Sequence, residues 1–218
     1  MNTLNIRRAT IIDIPFITKS IIEAEKSGTE VLSYSTLFGL NNNEITTFIS
    51  EMLSEEIDDC EISISSFLIA EINGQTAAAL SGWLENANGI PSAILKGNLL
   101  NYYLPPKSFE KAATLLKYTK DFHFDYIPNT FQIGAGYVAE EFRGNKLLGL
   151  LTQKLLEEFH NDYPLATEVY AQIFSCNIPS LKTYEKAGFT VISTKESFNN
   201  EITKIFPSSR KLLLKKIL

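Results

Sequence analysis

A run of five alternating segments in the C-terminal half constrains the fold more than any other part of the chain. Three strand-like apolar stretches alternate with two amphipathic helical patterns, in the order 131–138, 145–160, 167–174, 178–187 and 188–194. This order lets two parallel strands place both helix starts at the same edge of one sheet. A helix start presents unpaired N–H groups and a partial positive charge, so anions bind there. The sequence therefore predicts an α/β fold with an anion-binding edge.

Further strand patterns enlarge this core. Asn73 and Gly74 separate two strand-like runs, which is a strong hairpin signal. The strands outside 131–194 are predicted at 4–9, 66–72, 75–84 and 211–218. No linker composition divides the chain, so we expect a single domain over residues 1–218, built on a mixed α/β sheet.

Two helices are expected before the hairpin. Asp13 can cap the first, which ends near Gly28, and the second runs from Asn42 or Asn43 to about residue 57. The residues between them, 29–41, are predicted to form a loop. Residues 86–130 are too long for a plain connection, so we expect a partly helical insert there. Its helical patterns lie at 94–103 and 109–118.

Composition narrows the class of protein. The net charge of −5 argues against non-specific nucleic-acid binding and mildly favours cationic partners such as amines. Cys60 and Cys176 do not form a disulfide framework, so we expect reduced thiols and a cytoplasmic location. No apolar run of a signal peptide or a membrane span is present. His123 and His160 are the chain's histidines, and no cysteine pair has ligand spacing, so no metal site is expected.

The turn after the fourth strand carries basic residues beside a helix start. Arg143 and Lys146 would add full positive charges to the partial charge of the helix beginning near Asn145. One interpretation is a diphosphate site, and the alternative is an ordinary solvated turn. The sequence of the turn alone does not decide between them.

A second chemistry-bearing segment follows at 177–189. Asn177 can cap the next helix, and Tyr184 lies on its second turn beside the face that bears Leu181. Gly188 then leads into an apolar strand. Taken alone, Tyr184 is equally compatible with a half-buried core tyrosine. Its position next to the first helix start makes a functional role worth testing.

These two segments resemble the GNAT acetyltransferase superfamily. The upstream segment matches the family's lead-in and phosphate loop at Val138, Glu141, Phe142, Arg143, Gly144 and Asn145. Lys146 and Leu148 stand where that loop usually has glycines. The downstream segment matches at Asn177, Tyr184, Gly188 and Phe189. The resemblance covers residues 131–194 well, and residues 4–84 in the order of elements only.

The resemblance implies a fold and an activity. The fold would be a mostly antiparallel sheet of about seven strands, splayed between strands four and five and flanked by helices. The activity would be transfer of an acetyl group from acetyl-CoA to a primary amine of a small molecule, by a monomer or homodimer without nucleic-acid or membrane partners. The donor-binding residues that it implies are Tyr137, Val138, Ala139, Arg143, Gly144, Asn145, Lys146, Leu147, Leu148 and Asn177.

Within that scheme, Tyr184 would protonate the departing thiolate, because a phenol stays protonated at neutral pH. A lysine at position 146 can offer its backbone N–H to phosphate if its φ is ordinary, although glycine allows a closer approach. Backbone N–H groups at a bulge in the fourth strand would stabilise the carbonyl oxygen of the thioester.

The general base is where the chain departs from the family pattern. Gln132 and Gln172 occupy the places where relatives often have glutamate, and an amide cannot accept a proton. The remaining candidates are Tyr170, His123, Glu168 and a chain of water molecules.

The acceptor pocket is expected between the first two helices and the insert at 86–130. Trp83, Glu85, Tyr102 and Tyr103 are the candidates to line it.

Two rival functions are open. Residues 134–139 fit the dinucleotide pattern G-x-G-x-x-A, with Glu157 and Glu158 about twenty residues further on, which would indicate an oxidoreductase. The other rival is a non-catalytic module of the same fold that binds or senses acyl-CoA. The two glutamines and the altered phosphate loop favour this second rival.

Overall fold

One seven-stranded sheet organises the residues that the computed structural model describes, 3–55, 57–120 and 122–218. The strands are β1 (Leu4–Arg8), β2 (Phe67–Ile72), β3 (Gln75–Leu84), β4 (Phe131–Val138), β5 (Glu168–Phe174), β6 (Thr190–Glu196) and β7 (Arg210–Ile217). They lie in the order β1-β2-β3-β4-β5-β7-β6. All neighbours are antiparallel except β4 and β5, which are parallel. The predicted mixed, mostly antiparallel sheet is confirmed.

The helices of the described residues cover both faces of this sheet. They are α1 (Ile14–Lys26), α2 (Ser33–Phe38), α3 (Asn42–Leu53), α4 (Ser92–Tyr103), α5 (Pro106–Thr119), α6 (Leu147–Asp162), α7 (Ile178–Lys186) and α8 (Ile202–Ile205). The insert between β3 and β4 contains α4 and α5, in the places where helical patterns were predicted.

Two short helices were missed by the sequence analysis. The prediction of a loop at 29–41 was wrong, because α2 forms inside it. A six-residue helix rich in Ser and Thr has little intrinsic stability, and tertiary packing supports this one. Tyr34 is buried, with its ring 5.6 Å from that of Phe48 in α3. The second missed helix, α8, packs Ile202 and Ile205 into an aromatic cluster described below.

The first two long helices begin at the expected places but with different caps. Asn41, rather than Asn42 or Asn43, caps α3, and its Oδ1 accepts the N–H groups of Asn43 and Glu44. Glu44 reciprocates by accepting the N–H of Asn41, which completes a capping box. This reciprocal pair moves the start of α3 one residue upstream.

Asp13 stands at the start of α1, but its carboxylate caps the preceding turn. It accepts the N–H of Thr10 at 2.8 Å and two hydrogen bonds from the guanidinium of Arg7, at 2.7 and 2.9 Å. The hydrogen bonds from Arg7 hold the pKa of Asp13 below its usual value. The buried carboxylate thereby ties β1 to the start of α1.

The β2–β3 hairpin follows the sequence prediction closely. Asn73 and Gly74 both have positive φ, 52° and 77°, as a two-residue type I′ turn requires. Ile72 pairs directly with Gln75 across the turn. This register is important because side chains alternate between the two faces of a strand.

The two faces of the sheet carry separate cores. On one face, α6 buries Leu151, Leu155 and Phe159 against alternating residues of β2, β3 and β4. On the other face, α1 and α3 bury Ile17 and Ile49 against Ile69 and its neighbours. A third cluster joins the insert to the far end of β5. Its buried members are Phe122, Phe174, Ile202, Ile205 and Phe206.

The sheet splays between β4 and β5. Their ladder is three pairs long and ends where Ile133 faces Ala171. Immediately after it, Ser81 of β3 faces two residues of β4, Gly134 and Ala135, because the register shifts there. Such a bulge bends the strand that contains the extra residue. The gap that opens beyond this point positions the candidate site.

No helix within the described ranges has the length and apolar character needed to cross a membrane.

Candidate active site

The gap between β4 and β5 contains a cavity and a groove that meet. The cavity has a volume of about 140 Å³, and the groove about 450 Å³. Five residues line both of them and form the neck of the site: Ala24, Ser27, Gly136, Asn177 and Ser180. A ligand in the groove can therefore present one end to the cavity.

The backbone of β4 forms one wall of the groove. Ala139 donates its N–H to Ala77 of β3 at 2.9 Å. Because the bonding direction alternates along an antiparallel ladder, Gly136 and Val138 direct their N–H and C=O groups away from β3, toward the gap. An extended chain of amides lying in the groove would find partners there. The resemblance implied that the backbone of residues 137–139 would pair with the donor. In the structure, the backbone groups that face the gap belong to residues 136 and 138, and the N–H of Ala139 is already bonded to Ala77.

Tyr137 contributes packing to the groove. Its ring lies 5.9 Å from that of Phe16, and the ammonium of Lys19 lies 5.6 Å from its centroid. These contacts hold β4 against α1, which supplies the opposite wall of the groove.

The loop at 142–149 closes the outer end of the groove, where α6 begins. The first N–H groups of α6 have no partner within the helix. Arg143 is exposed and lies 3.5 Å from Glu140. Asn145 uses its side-chain amide to donate to the carbonyl of Phe142 at 2.9 Å. Among the implied donor-binding residues, Asn145 and Ala139 do not line the groove, whereas the others do.

From the sequence, Lys146 is expected to offer its N–H to phosphate if its φ is ordinary, and this condition is not met. Its φ of 59° is not ordinary but left-handed, the conformation that favours glycine. Leu148, at the second usual glycine position, packs against Gly136, and a Cβ on Gly136 would lie 2.9 Å from its Cδ1. The loop therefore keeps a glycine-like backbone with a lysine in place of the glycine.

Asn177 orders the start of α7. Its Oδ1 accepts the N–H of Ser180 at 3.2 Å, as predicted for an N-cap. The residue lies in the neck, so its side-chain amide faces the passage between groove and cavity.

Tyr184 lies two helical turns further along, in the wall of the cavity. The side chain is 3% exposed, and its ring lies 5.5 Å from that of Phe189. Its hydroxyl forms no hydrogen bond with a described residue. Burial raises the pKa of Tyr184, so the phenol remains protonated at neutral pH. The structure thus brings together the neck, the β4 bulge and a protonated hydroxyl that is available to a ligand.

Comparison with known proteins gives a fold match. No protein-family model matches the chain, and no curated protein matches it. An N-acetyltransferase from Staphylococcus aureus Mu50 is 15% identical, with a TM-score of 0.64, covering 97% of this chain and 100% of that one. A Drosophila melanogaster polyamine N-acetyltransferase is 13% identical, with a TM-score of 0.60, covering 99% and 100%. A GNAT-family acetyltransferase from Streptococcus pneumoniae is 14% identical, with a TM-score of 0.52, covering 99% of each chain.

The chain has the GNAT acetyltransferase fold. This match confirms the predicted fold, and the short β4–β5 ladder confirms the predicted splay between the fourth and fifth strands. The interpretation of residues 134–139 as a dinucleotide-binding motif is wrong, because residues 134–138 lie inside β4 and the next α-helix begins at Leu147. The glycines are therefore not at a strand-to-helix turn.

On β4 and β5, the two glutamines at the usual places of the base and the candidates Tyr170 and Glu168 all form other contacts. Gln132 donates to the hydroxyl of Thr130 at 2.8 Å, and Gln172 donates to the carbonyl of Phe124 at 3.0 Å. Tyr170 donates a hydrogen bond to Glu168 at 2.7 Å, and neither side chain lines the cavity. The structure thus does not bring Tyr170 together with Tyr184.

His123 lies outside the cavity lining as well. Its Nδ1 is 3.3 Å from the ammonium of Lys211, and its ring stands edge-on to that of Phe206. Desolvation against the third cluster, together with the nearby ammonium groups, lowers the pKa of His123. The imidazole is therefore neutral at pH 7, although it does not reach the neck.

The four residues expected to line an acceptor pocket are not among those that line the cavity. Trp83 donates to Glu85 at 2.9 Å, and Glu85 also accepts the N–H of Ser92 at the start of α4, so both buried side chains hold the insert in place. Tyr102 is 79% exposed, and Tyr103 donates to Glu55 on the outer surface.

The wall of the cavity contains polar and charged side chains that the sequence did not single out. They share a polar or charged end that lines the cavity: Glu25, Tyr34, Glu61, Lys96, Tyr126 and Lys211. They come from α1, α2, α4, β7 and two irregular segments, so no local spacing connects them. Among the described residues, no group of three or more His, Cys, Asp or Glu is arranged to hold a metal ion.

Proposed function

We propose that this protein is an N-acetyltransferase that moves an acetyl group from acetyl-CoA directly to a primary amine of a small molecule. The observation that carries the proposal is the protonated Tyr184 hydroxyl, which lines a cavity joined through a neck to a long groove. The GNAT fold of the chain supports the same reaction class.

The groove suits a coenzyme A thioester. The N–H and C=O groups of Gly136 and Val138 that face the gap match the amides of an extended pantetheine arm. The free N–H groups at the start of α6, with Arg143 and Lys146 beside them, match a diphosphate. The two features lie at successive positions along one groove, as a single ligand with both groups requires.

In this reaction Tyr184 acts as the general acid. The thiol that leaves has an ordinary pKa of about 8.5, and the pKa of Tyr184 lies above that of a free phenol. The hydroxyl is therefore present in its protonated form to donate to the departing sulfur. The bulge at Gly134 and Ala135 offers backbone N–H groups for the charge that develops on the carbonyl oxygen.

We assign the role of base to Glu25. An alkylamine with a pKa near 10.4 is unprotonated in about one molecule in 10³ at pH 7, so a base accelerates the attack. Of the described residues, Glu25 and Glu61 are the carboxylates that line the cavity. Glu61 is held by Lys96 and Tyr126, whereas Glu25 accepts one described hydrogen bond, from Ser33 at 2.5 Å. Glu25 also follows Ala24, a residue of the neck.

A small acceptor fits the enclosure of the site better than a protein chain does. The cavity of about 140 Å³ is walled by the insert, α1, α2 and β7. The structurally similar Drosophila enzyme, a polyamine N-acetyltransferase, also acts on small amines. We further propose a cytoplasmic location, because Cys60 and Cys176 are both free thiols.

The test is Tyr184→Phe, assayed by thiol release from acetyl-CoA with a panel of amines. We expect kcat to fall by about 10²-fold, within the range for general acid catalysis, while the affinity for coenzyme A stays unchanged. Tyr102→Phe is the matched control, since that ring is exposed on the outer surface. A wild-type protein that binds acetyl-CoA but releases no thiol with any amine would support the sensor function and contradict the proposal.

A further inference from the structure

Among the residues that the structure describes, four charged side chains line the cavity. Glu25 lies on α1, Glu61 before β2, Lys96 on α4 and Lys211 on β7. The formal charges cancel when all four are ionised, but the groups are not all paired with one another. The pairing pattern therefore indicates which charges are left for a ligand.

Lys96 and Glu61 satisfy each other. The ammonium of Lys96 lies 3.1 Å from Oε1 of Glu61, and Tyr126 donates to the other oxygen of Glu61 at 2.9 Å. Lys96 also lies 5.5 Å from the centre of the Tyr34 ring. An ion pair with these additional contacts leaves little charge for a ligand in the cavity.

Lys211 has no such partner. Within the described part of the chain it forms no ion pair with a carboxylate, and its contacts are His123 Nδ1 at 3.3 Å and the Phe174 ring at 5.6 Å. Burial lowers the pKa of Lys211 to about 8, so most of the ammonium is still charged at pH 7. A desolvated charge without a counter-ion is costly, and here it lines an open cavity.

We propose that the acceptor carries a carboxylate that Lys211 binds, so that its substrates are amino acids or similar zwitterions. This rests on the proposed acetyl transfer. One free ammonium matches one monovalent anion, whereas a phosphate dianion would bring a second negative charge into a wall that also contains Glu25. The amine of such an acceptor reaches the neck while its carboxylate stays with β7.

The experiment uses matched pairs of amines that differ in one carboxylate: arginine and agmatine, ornithine and putrescine, tyrosine and tyramine. Thiol release from acetyl-CoA is measured for each with the full-length protein. We expect kcat/KM of the wild type to be about 10- to 100-fold higher for the amino acid than for its decarboxylated partner, as for a charge-assisted hydrogen bond.

Two variants assign this preference to Lys211. Lys211→Met removes the charge while keeping an apolar stem, and we expect it to lower kcat/KM for each amino acid to the level of its decarboxylated partner. Lys211→Arg should retain part of the preference. Lys215→Met is the control, because Lys215 lies on the same strand, pairs with Glu168 at 2.6 Å and does not line the cavity.

Each failure has a distinct meaning. Acetylation of agmatine, putrescine or tyramine at rates equal to or above those of the amino acids overturns the carboxylate proposal and leaves acetyl transfer intact. An equal loss with both members of each pair in Lys211→Met also overturns it. If no amine is acetylated and acetyl-CoA does not raise the melting temperature, acetyl transfer itself is wrong.

Discussion

Replacement of Lys146 by glycine tests whether the phosphate loop stores backbone strain. Lys146 has φ 59° and ψ 21°, a left-handed conformation that costs a residue with a Cβ about 1–2 kcal/mol. Glycine removes that cost, but it adds about 0.4–1 kcal/mol of conformational entropy to the unfolded chain. The midpoints of these two ranges give a net gain in the free energy of unfolding of about 0.8 kcal/mol. For a chain of this size that gain corresponds to about 1–4 °C in melting temperature.

Lys146→Ala separates the strain from the charge. Alanine keeps the Cβ and loses the ammonium, so we expect its melting temperature to match the wild type and to lie below that of Lys146→Gly. Coenzyme A affinity, measured by isothermal titration calorimetry, should weaken about two- to fivefold in Lys146→Ala, because an exposed pair of opposite charges, here the ammonium and a phosphate, contributes up to about 1 kcal/mol. That difference should shrink at high salt.

The melting temperatures of the two variants test whether the left-handed backbone at Lys146 is strained. If Lys146→Gly unfolds at the same temperature as Lys146→Ala or below it, the left-handed backbone is not strained and the reasoning is refuted. We further expect Lys146→Gly to bind coenzyme A at least as tightly as Lys146→Ala, since the absence of a Cβ allows closer approach of the loop backbone to phosphate.

Two further predictions concern carboxylates. Glu25→Gln should lower kcat/KM about 10²-fold or more at pH 7, and raising the pH should partly restore the rate because the free fraction of the amine increases; a pH-rate profile unchanged from wild type would exclude Glu25 as the base. Asp13→Asn should cost about 1.5–3 kcal/mol in urea unfolding at pH 7, since it removes a charged partner of Arg7. The folded pKa of Asp13 is lowered, so its contribution is complete above the unfolded value of about 3.9 and is lost as the pH falls further. A difference between Asp13→Asn and wild type that stays constant below about pH 4 would contradict this assignment.

Local signals in the sequence were sufficient for most of the fold. The Asn73 and Gly74 pair determines a turn by its own backbone preferences, and the apolar stripe of α6 needs only helical spacing. Asn177 and Tyr184 were found for the same reason, because a cap and a residue two turns along one helix are related by sequence distance alone. Their predicted roles in the reaction remain predictions.

The charged residues of the cavity wall could not be predicted from local signals in the sequence. Glu25, Glu61 and Lys211 belong to segments far apart in the chain, and only the tertiary fold places them around one cavity. The aromatic residues chosen from the sequence, such as Tyr102, lie on the outer surface instead. The left-handed backbone of Lys146 also has no local signal, since lysine is not a residue that favours it.

The insert between β3 and β4 is fastened to the sheet at both of its ends. Glu85 accepts N–H groups from Trp83 and from Ser92 at the start of α4, and Gln172 donates to the carbonyl of Phe124 near the return to β4. The groove, by contrast, is built from α1 and from residues 136–183, outside the insert. We therefore expect that exchange of the segment between Ser92 and Phe124 would change one wall of the cavity and leave the groove unchanged. We predict that such changes alter the choice of acceptor and leave coenzyme A binding unchanged.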